Sequence, residues 1–94
     1  MKFEWDENKN QTNIRKHGIS FEQAKTIFNH DILTRIDNRY DYGEVREISL
    51  GQIDGEVIVV VVHTKRNKNT RIISARKANK KEREVYNEYT RENY

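Results

Sequence analysis

The chain has 94 residues and is 34% hydrophobic and 35% charged, close to the composition of disordered chains, yet 10% aromatic content and the run Val57 to Val62 predict a folded core. That length holds one domain, residues 1–94, burying only roughly 60–65% of the surface its unfolded form exposes. With no cysteine there is neither a disulfide framework nor a cysteine-based zinc site, and with no apolar run near the ~20 residues that cross a bilayer the sequence predicts a cytoplasmic protein without a membrane partner.

The net charge of +3 is less informative than its distribution. Residues 65–83 hold nine Lys or Arg and one acid, Glu82, whereas residues 1–62 hold eight basic and eleven acidic side chains. Such a concentration sets up a positive field over one part of the surface. It is compatible with a plain solvated face, but Arg71 and Arg76 fall inside a predicted strand, where solubility alone does not require them.

In chain order, Asp6 is placed to cap a first helix running to about Lys16, and Gly18 suits the left-handed residue that ends it. Ser20 and Gln23 form a capping box for a second helix, whose Phe21, Ala24, Ile27 and Phe28 recur at helical spacing. From Ile32 the period becomes two. Strands are predicted over 32–36, 45–53, 56–65 and 70–76, with Asp54-Gly55 as a type I′ hairpin turn. Asn79 and Glu82 then cap a last helix from Lys80 to about Arg91. The order α-α-β-β-β-β-α predicts an α+β domain with a meandering antiparallel sheet.

Strict alternation places Arg71, Ile73 and Ala75 on one face of their strand, and Ile72, Ser74 and Arg76 on the other. Arg76 then ends the strand beside Lys77, just before a helix N-terminus, a combination suited to a phosphate. An ion pair with Glu82 or Glu47 is the plainer reading. Arg46 begins an apolar-facing set with Ile48 and Leu50 and is expected over the same face as Arg76; two such arginines stabilise charge developing on a phosphate under attack. A surface pair with Glu44 or Asp41 fits Arg46 equally well.

Histidine supplies proton transfer near neutral pH. His17 ends the first helix after Lys16, His30 follows the second, and His63 lies on the third strand; their spacing is not that of a metal site. Tyr86 stands one turn beyond Glu82 and Arg83, so its hydroxyl is expected near the basic cluster, with packing against the sheet as the simpler account. Tyr40 and Tyr42 are placed either to stack on bases or to close their loop.

Trp5-Asp6, Lys9, Asn13 and Lys16-His17-Gly18, then Phe21 and Ala24, resemble the opening of BrnT toxins. So do Arg46, Gly51, the run Arg71-Ile72-Ile73-Ser74-Ala75-Arg76-Lys77-Ala78, and Glu82, Arg83 and Tyr86. His63 stands where an aromatic residue is more usual. The resemblance covers Phe3 to about Tyr86 and implies a RelE-like fold and a type II toxin–antitoxin ribonuclease that needs no metal or other cofactor. It further implies a BrnA-type ribbon–helix–helix antitoxin, two toxins around an antitoxin dimer, and contact with operator DNA only through that antitoxin. On this reading Arg46 and Arg76 neutralise the phosphorane, Arg71, Lys77 and Arg83 hold flanking phosphates, and His17, assisted by Lys16, transfers the proton, with Tyr86 and Glu82 as further candidates. The rival reading is a binding module that meets nucleic acid, or an acidic partner, through the same patch without chemistry.

Overall fold

The computed structural model describes residues 1–92. The elements are β1 (Phe3–Glu4), α1 (Glu7–His17), α2 (Phe21–Ala24) continued by a 3₁₀ turn (Lys25–Asn29), β2 (Leu33–Asp37), β3 (Arg46–Ile53), β4 (Val57–Arg66), β5 (Asn69–Lys77) and α3 (Lys80–Glu92). Strands β2 to β5 form the predicted antiparallel meander, and the sheet order is β1-β5-β4-β3-β2. The sequence reading misses β1, which pairs parallel to β5 through Phe3↔Thr70 and Glu4↔Arg71. Two residues followed at once by a helix cap leave no alternation to read.

The predicted caps are present. The Asp6 side chain accepts hydrogen bonds from Asn8 and Lys9, Gly18 ends α1 at φ 69°, and Ser20 and Gln23 form the reciprocal box. Both hairpin turns place two residues in the left-handed region, Asp54-Gly55 as predicted and Asn67-Lys68 as well, the geometry that matches strand twist.

Paired strand positions share a face, so the register sorts the sheet into two sides. On one, Val59, Val61, Ile72 and Ala75 pack with Ile19, Phe21, Ala24 and Ile27. On the other, Ile48, Leu50, Ile58 and Val60 pack with Ala78 and Tyr86 at the α3 end. Phe21 and Ile27 are fully buried, each contributing about 1.5–3 kcal/mol relative to exposure. Helix α1 docks differently. Its buried residues are Asn10 and Asn13; Asn10 accepts from the Phe21 N–H at 2.9 Å, and Asn13 bonds Ile19 and Ala75.

Between Val62 and His63 the β4–β5 register slips: Val62 pairs with Ser74, but His63 pairs with Ile72, leaving Ile73 as an extra residue. This bulge corrects the alternation expected for β5. Arg71, opposite Thr64, lies on the same face as Arg76, opposite Val60, not on the far side.

Candidate functional site

Helix α3 covers only one end of its side of the sheet. Across the rest, the register gives three rows over β5, β4, β3 and β2: Arg71–Thr64–Arg46–Asp37, Ser74–Val62–Ile48–Arg35, and Arg76–Val60–Leu50–Leu33. The middle of this face is an apolar floor of valine and isoleucine, and its margins are guanidinium groups. A hollow of about 180 Å³ opens on it between Arg35, Arg39, Ser74, Arg76 and Glu82, floored by Ile48, Val60 and Val62. That is below the roughly 300–1,000 Å³ of small-molecule sites, and its walls suit a phosphate group better than a whole metabolite. A larger depression of about 680 Å³ lies between His30, Asp31, Gln52 and α3; its arginine, Arg91, is paired with Glu88 at 2.7 Å.

Arg76 is held by Glu82 in a two-pronged contact, Nη1 to Oε1 and Nη2 to Oε2, both 2.8 Å. The guanidinium holds the Glu82 carboxyl below the usual carboxylate range, and the Asn79 N–H, donating to Oε1 at 2.8 Å, adds to it. Glu82 thus completes the predicted capping box of α3 while its charge faces the hollow. The plainer reading of Arg76, an ion pair with Glu82, is what the geometry contains; a carboxylate in a guanidinium fork occupies the geometry a phosphate takes.

The β2–β3 end is built around Asp37, which is 4% exposed. It accepts from Arg39 Nε at 2.8 Å and Nη2 at 2.9 Å, and from the Tyr42 hydroxyl at 3.0 Å; the Arg39 contact holds its carboxyl far below the ordinary range. Arg46 lies 4.0 Å over the Tyr42 ring and pairs with Glu44 at 3.3 Å. Arg71 pairs with Glu4 at 2.7 Å, tying β1 to β5.

Of the residues singled out from sequence, Arg46, Arg71, Arg76 and Glu82 come together on this face. Lys77 pairs with Val59 and belongs to the opposite face. Arg83 donates to the Ala78 carbonyl at 2.9 Å on the outside of α3. Tyr86 is 4% exposed, and its hydroxyl donates to the Asp31 carbonyl at 2.8 Å rather than reaching the arginines; burial pushes it above the usual tyrosine range. Lys16 and His17 line a separate shallow cleft with Asp6, Lys9, Thr12 and Ile73, and Ser74 borders both that cleft and the hollow. Sequence reasoning missed Arg35, Arg39 and Ser74. Arg35 carried a readable signal, since it alternates with Leu33; Arg39 sits in a loop with no period.

Among the described residues no group of three His, Asp or Glu side chains is placed to hold a metal ion, and no helix is long and apolar enough to cross a membrane.

A sheet with one face left open, floored with aliphatic side chains and edged with guanidinium groups, defines a small α+β protein with a positively edged groove. Residues 5–82 match the family described as the ribonuclease toxin, BrnT, of type II toxin–antitoxin systems, and the chain belongs to that family. The crystal structure of the Brucella abortus ribonuclease toxin, BrnT, is similar at 28% identity and a TM-score of 0.64, covering 85% of this chain and 99% of that one. No curated protein sequence matches the chain.

Proposed function

We propose that this ribonuclease toxin cuts RNA without a metal, and does so in the hollow lined by Arg76 and Glu82, with Arg46 further along the same open face. The observation that carries the reading is the convergence of Arg46, Arg71 and Arg76 on one open face, with the Glu82 carboxylate held in the Arg76 fork. A backbone phosphate entering the hollow takes the Arg76 fork from Glu82. Released from its guanidinium, that carboxylate loses the contact that keeps it acidic and becomes a better proton acceptor. It then takes the proton of the ribose 2′-OH, whose oxygen forms the new bond to phosphorus. The bond from phosphorus to the 5′-oxygen breaks, the 5′-oxygen leaves with a proton from solvent in the open hollow, and a 2′,3′-cyclic phosphate remains. Arg76 and Arg46 offset the charge that builds on the phosphorane, and Arg71 holds a neighbouring phosphate.

His17, with Lys16 beside it, is the second candidate for proton transfer; its cleft shares Ser74 with the hollow, and RNA crossing the edge of β5 meets both. Lys77, on the opposite face, and Arg83, bonded to the Ala78 carbonyl, stand off the hollow and meet only phosphates further along the strand, while Tyr86 serves packing. The partner is a BrnA-type ribbon–helix–helix antitoxin that covers the arginine face, two toxins to an antitoxin dimer, with operator DNA bound through the antitoxin and the whole assembly cytoplasmic. One observation favours a binding module instead: Arg39, Arg46, Arg71 and Arg76 each have a carboxylate partner, which holds an anion without chemistry. Purified protein incubated with RNA in EDTA separates the two. Cleavage that Arg76→Ala abolishes supports the enzyme; RNA binding without cleavage supports the module, and loss of cleavage on chelation overturns the metal-free route.

A further inference from the structure

We infer that Tyr40 is a base-stacking platform that seats a nucleotide next to the phosphate held in the arginine hollow. The inference rests on the RNA reading above and adds a specificity element to it.

Tyr40 is 71% exposed, a large apolar ring left in water. The loop that carries it is tied at several points. Asp37 accepts from the Arg39 N–H at 3.2 Å and from the Arg39 side chain, the Tyr42 hydroxyl bonds Asp37, and Asp41 accepts from the Gly43 N–H at 3.0 Å. Gly43 turns the chain at φ 70°. The Tyr40 ring stands edge-on to Tyr42, 5.8 Å between centroids at 74°, and Tyr42 lies under the Arg46 guanidinium. The loop therefore spends its polar groups on fixing its own backbone and leaves the Tyr40 ring exposed, next in sequence to Arg39 and linked to Arg46 through the Tyr42 ring. An aromatic face next to guanidinium groups on an extended positive surface is the arrangement that binds single-stranded nucleic acid, arginine taking phosphate and the ring taking a base. Of the flanking acidic residues, Asp37 is offset by its ion pair with Arg39, while Asp41 turns its carboxylate back to the Gly43 N–H. Stacking is sequence-tolerant, so Tyr40 fixes which phosphate registers with Arg76 rather than which base is read.

The test uses eight-nucleotide 2′-O-methyl RNA, which lacks the attacking hydroxyl and is not cut. Tyr40→Ala should weaken its binding about tenfold, within the range of one base–aromatic stack, while Tyr40→Phe binds like wild type. A single abasic position walked along the oligonucleotide should weaken wild type at one place, and there Tyr40→Ala should cost nothing further. Wild-type affinity in Tyr40→Ala, or a Tyr40→Ala penalty that persists at every abasic position, overturns the platform. If Tyr40→Ala binds RNA normally but loses affinity for the antitoxin encoded beside it, the ring is a protein-docking residue and the inference fails. If Tyr40→Ala is unaffected while Arg76→Ala loses binding, the platform alone falls; if wild type does not bind the oligonucleotide, the RNA reading falls with it.

Discussion

Asn13 closes the edge of β5 at Ala75: its Nδ2 donates to the Ala75 carbonyl at 2.8 Å, and its Oδ1 accepts from the Ala75 N–H at 3.1 Å. β1 reaches only Thr70 and Arg71, so beyond it a single side-chain amide stands in for a neighbouring strand. Asn13→Ala leaves both Ala75 groups buried and unpaired, along with the Ile19 carbonyl. The expected loss is at least about 3 kcal/mol, from the roughly 1–3 kcal/mol cost of each of the three unsatisfied buried groups, read as a lower urea midpoint. Asn13→Asp keeps the acceptor but not the donors and should also fall well below wild type.

Gly51 lies against Ile27 so closely that an added Cβ would meet the Ile27 Cβ at 2.5 Å. Both residues are buried, so neither side can yield into solvent. Gly51→Ala should destabilise by about 1–3 kcal/mol. Pairing it with Ile27→Val should recover little in the same denaturation experiment, because valine keeps the Cβ and Cγ2 that the added Cβ meets at 2.5 and 3.0 Å and loses only Cδ1.

His63 is 5% exposed, with Ser49 Oγ at 2.7 Å from Nε2 and the Phe28 ring edge-on at 5.0 Å. Burial lowers its affinity for a proton, Glu47 opposes that shift, and Lys65 adds to it. The folded state thus takes up a proton less readily than the unfolded one, whose imidazole titrates near the ordinary histidine value of about 6.5. Its contribution to stability is present above about pH 6.5 and is lost as pH falls below it. Thermal midpoints should therefore drop before the carboxylate range is reached, and His63→Phe, which keeps the contact with Phe28, should flatten that first phase. An unchanged slope in His63→Phe refutes the assignment.

Glu82→Gln removes charge from the hollow while a side-chain oxygen remains for the Asn79 N–H. Arg76 is 43% exposed, so the lost ion pair costs less than about 1 kcal/mol and the protein should stay folded. Binding of uncleavable RNA should tighten, since phosphate no longer competes with a carboxylate for the Arg76 fork. Cleavage should fall by about 10²–10⁴-fold, the usual effect of losing a proton acceptor. Tighter binding with full cleavage moves the base elsewhere, and His17→Gln tests the next position.

The local signals in the sequence were readable because each is satisfied within a few residues. Asp6, Gly18, Ser20 with Gln23, Asn79 with Glu82, and Asp54-Gly55 all stand where their chemistry placed them. Arg46 and Arg76 on one face also followed from alternation. What escaped depended on distant partners. β1 exists through its pairing with β5, Asn13 through Ala75, and Arg71 shares the face only because Ile73 is extra. Tyr86 sits at helical spacing from Glu82, but its hydroxyl is claimed by Asp31, 55 residues away in sequence, a preference no local pattern contains.

The extra residue in β5 makes the arginine face a matter of parity. Arg71 and Arg76 lie an odd number of positions apart, which strict alternation would send to opposite faces; Ile73, left unpaired in the bulge, brings both to one face. Giving Ile73 a partner, by inserting an uncharged residue between Val62 and His63, would alter no charge, yet with Arg76 still opposite Val60 it would turn Arg71 to the helix-packed side, away from Glu4. The face would lose a cation that every charge count would still include. In this protein the arithmetic of odd and even along one strand, as much as the number of basic residues, decides how many positive groups a nucleic acid meets.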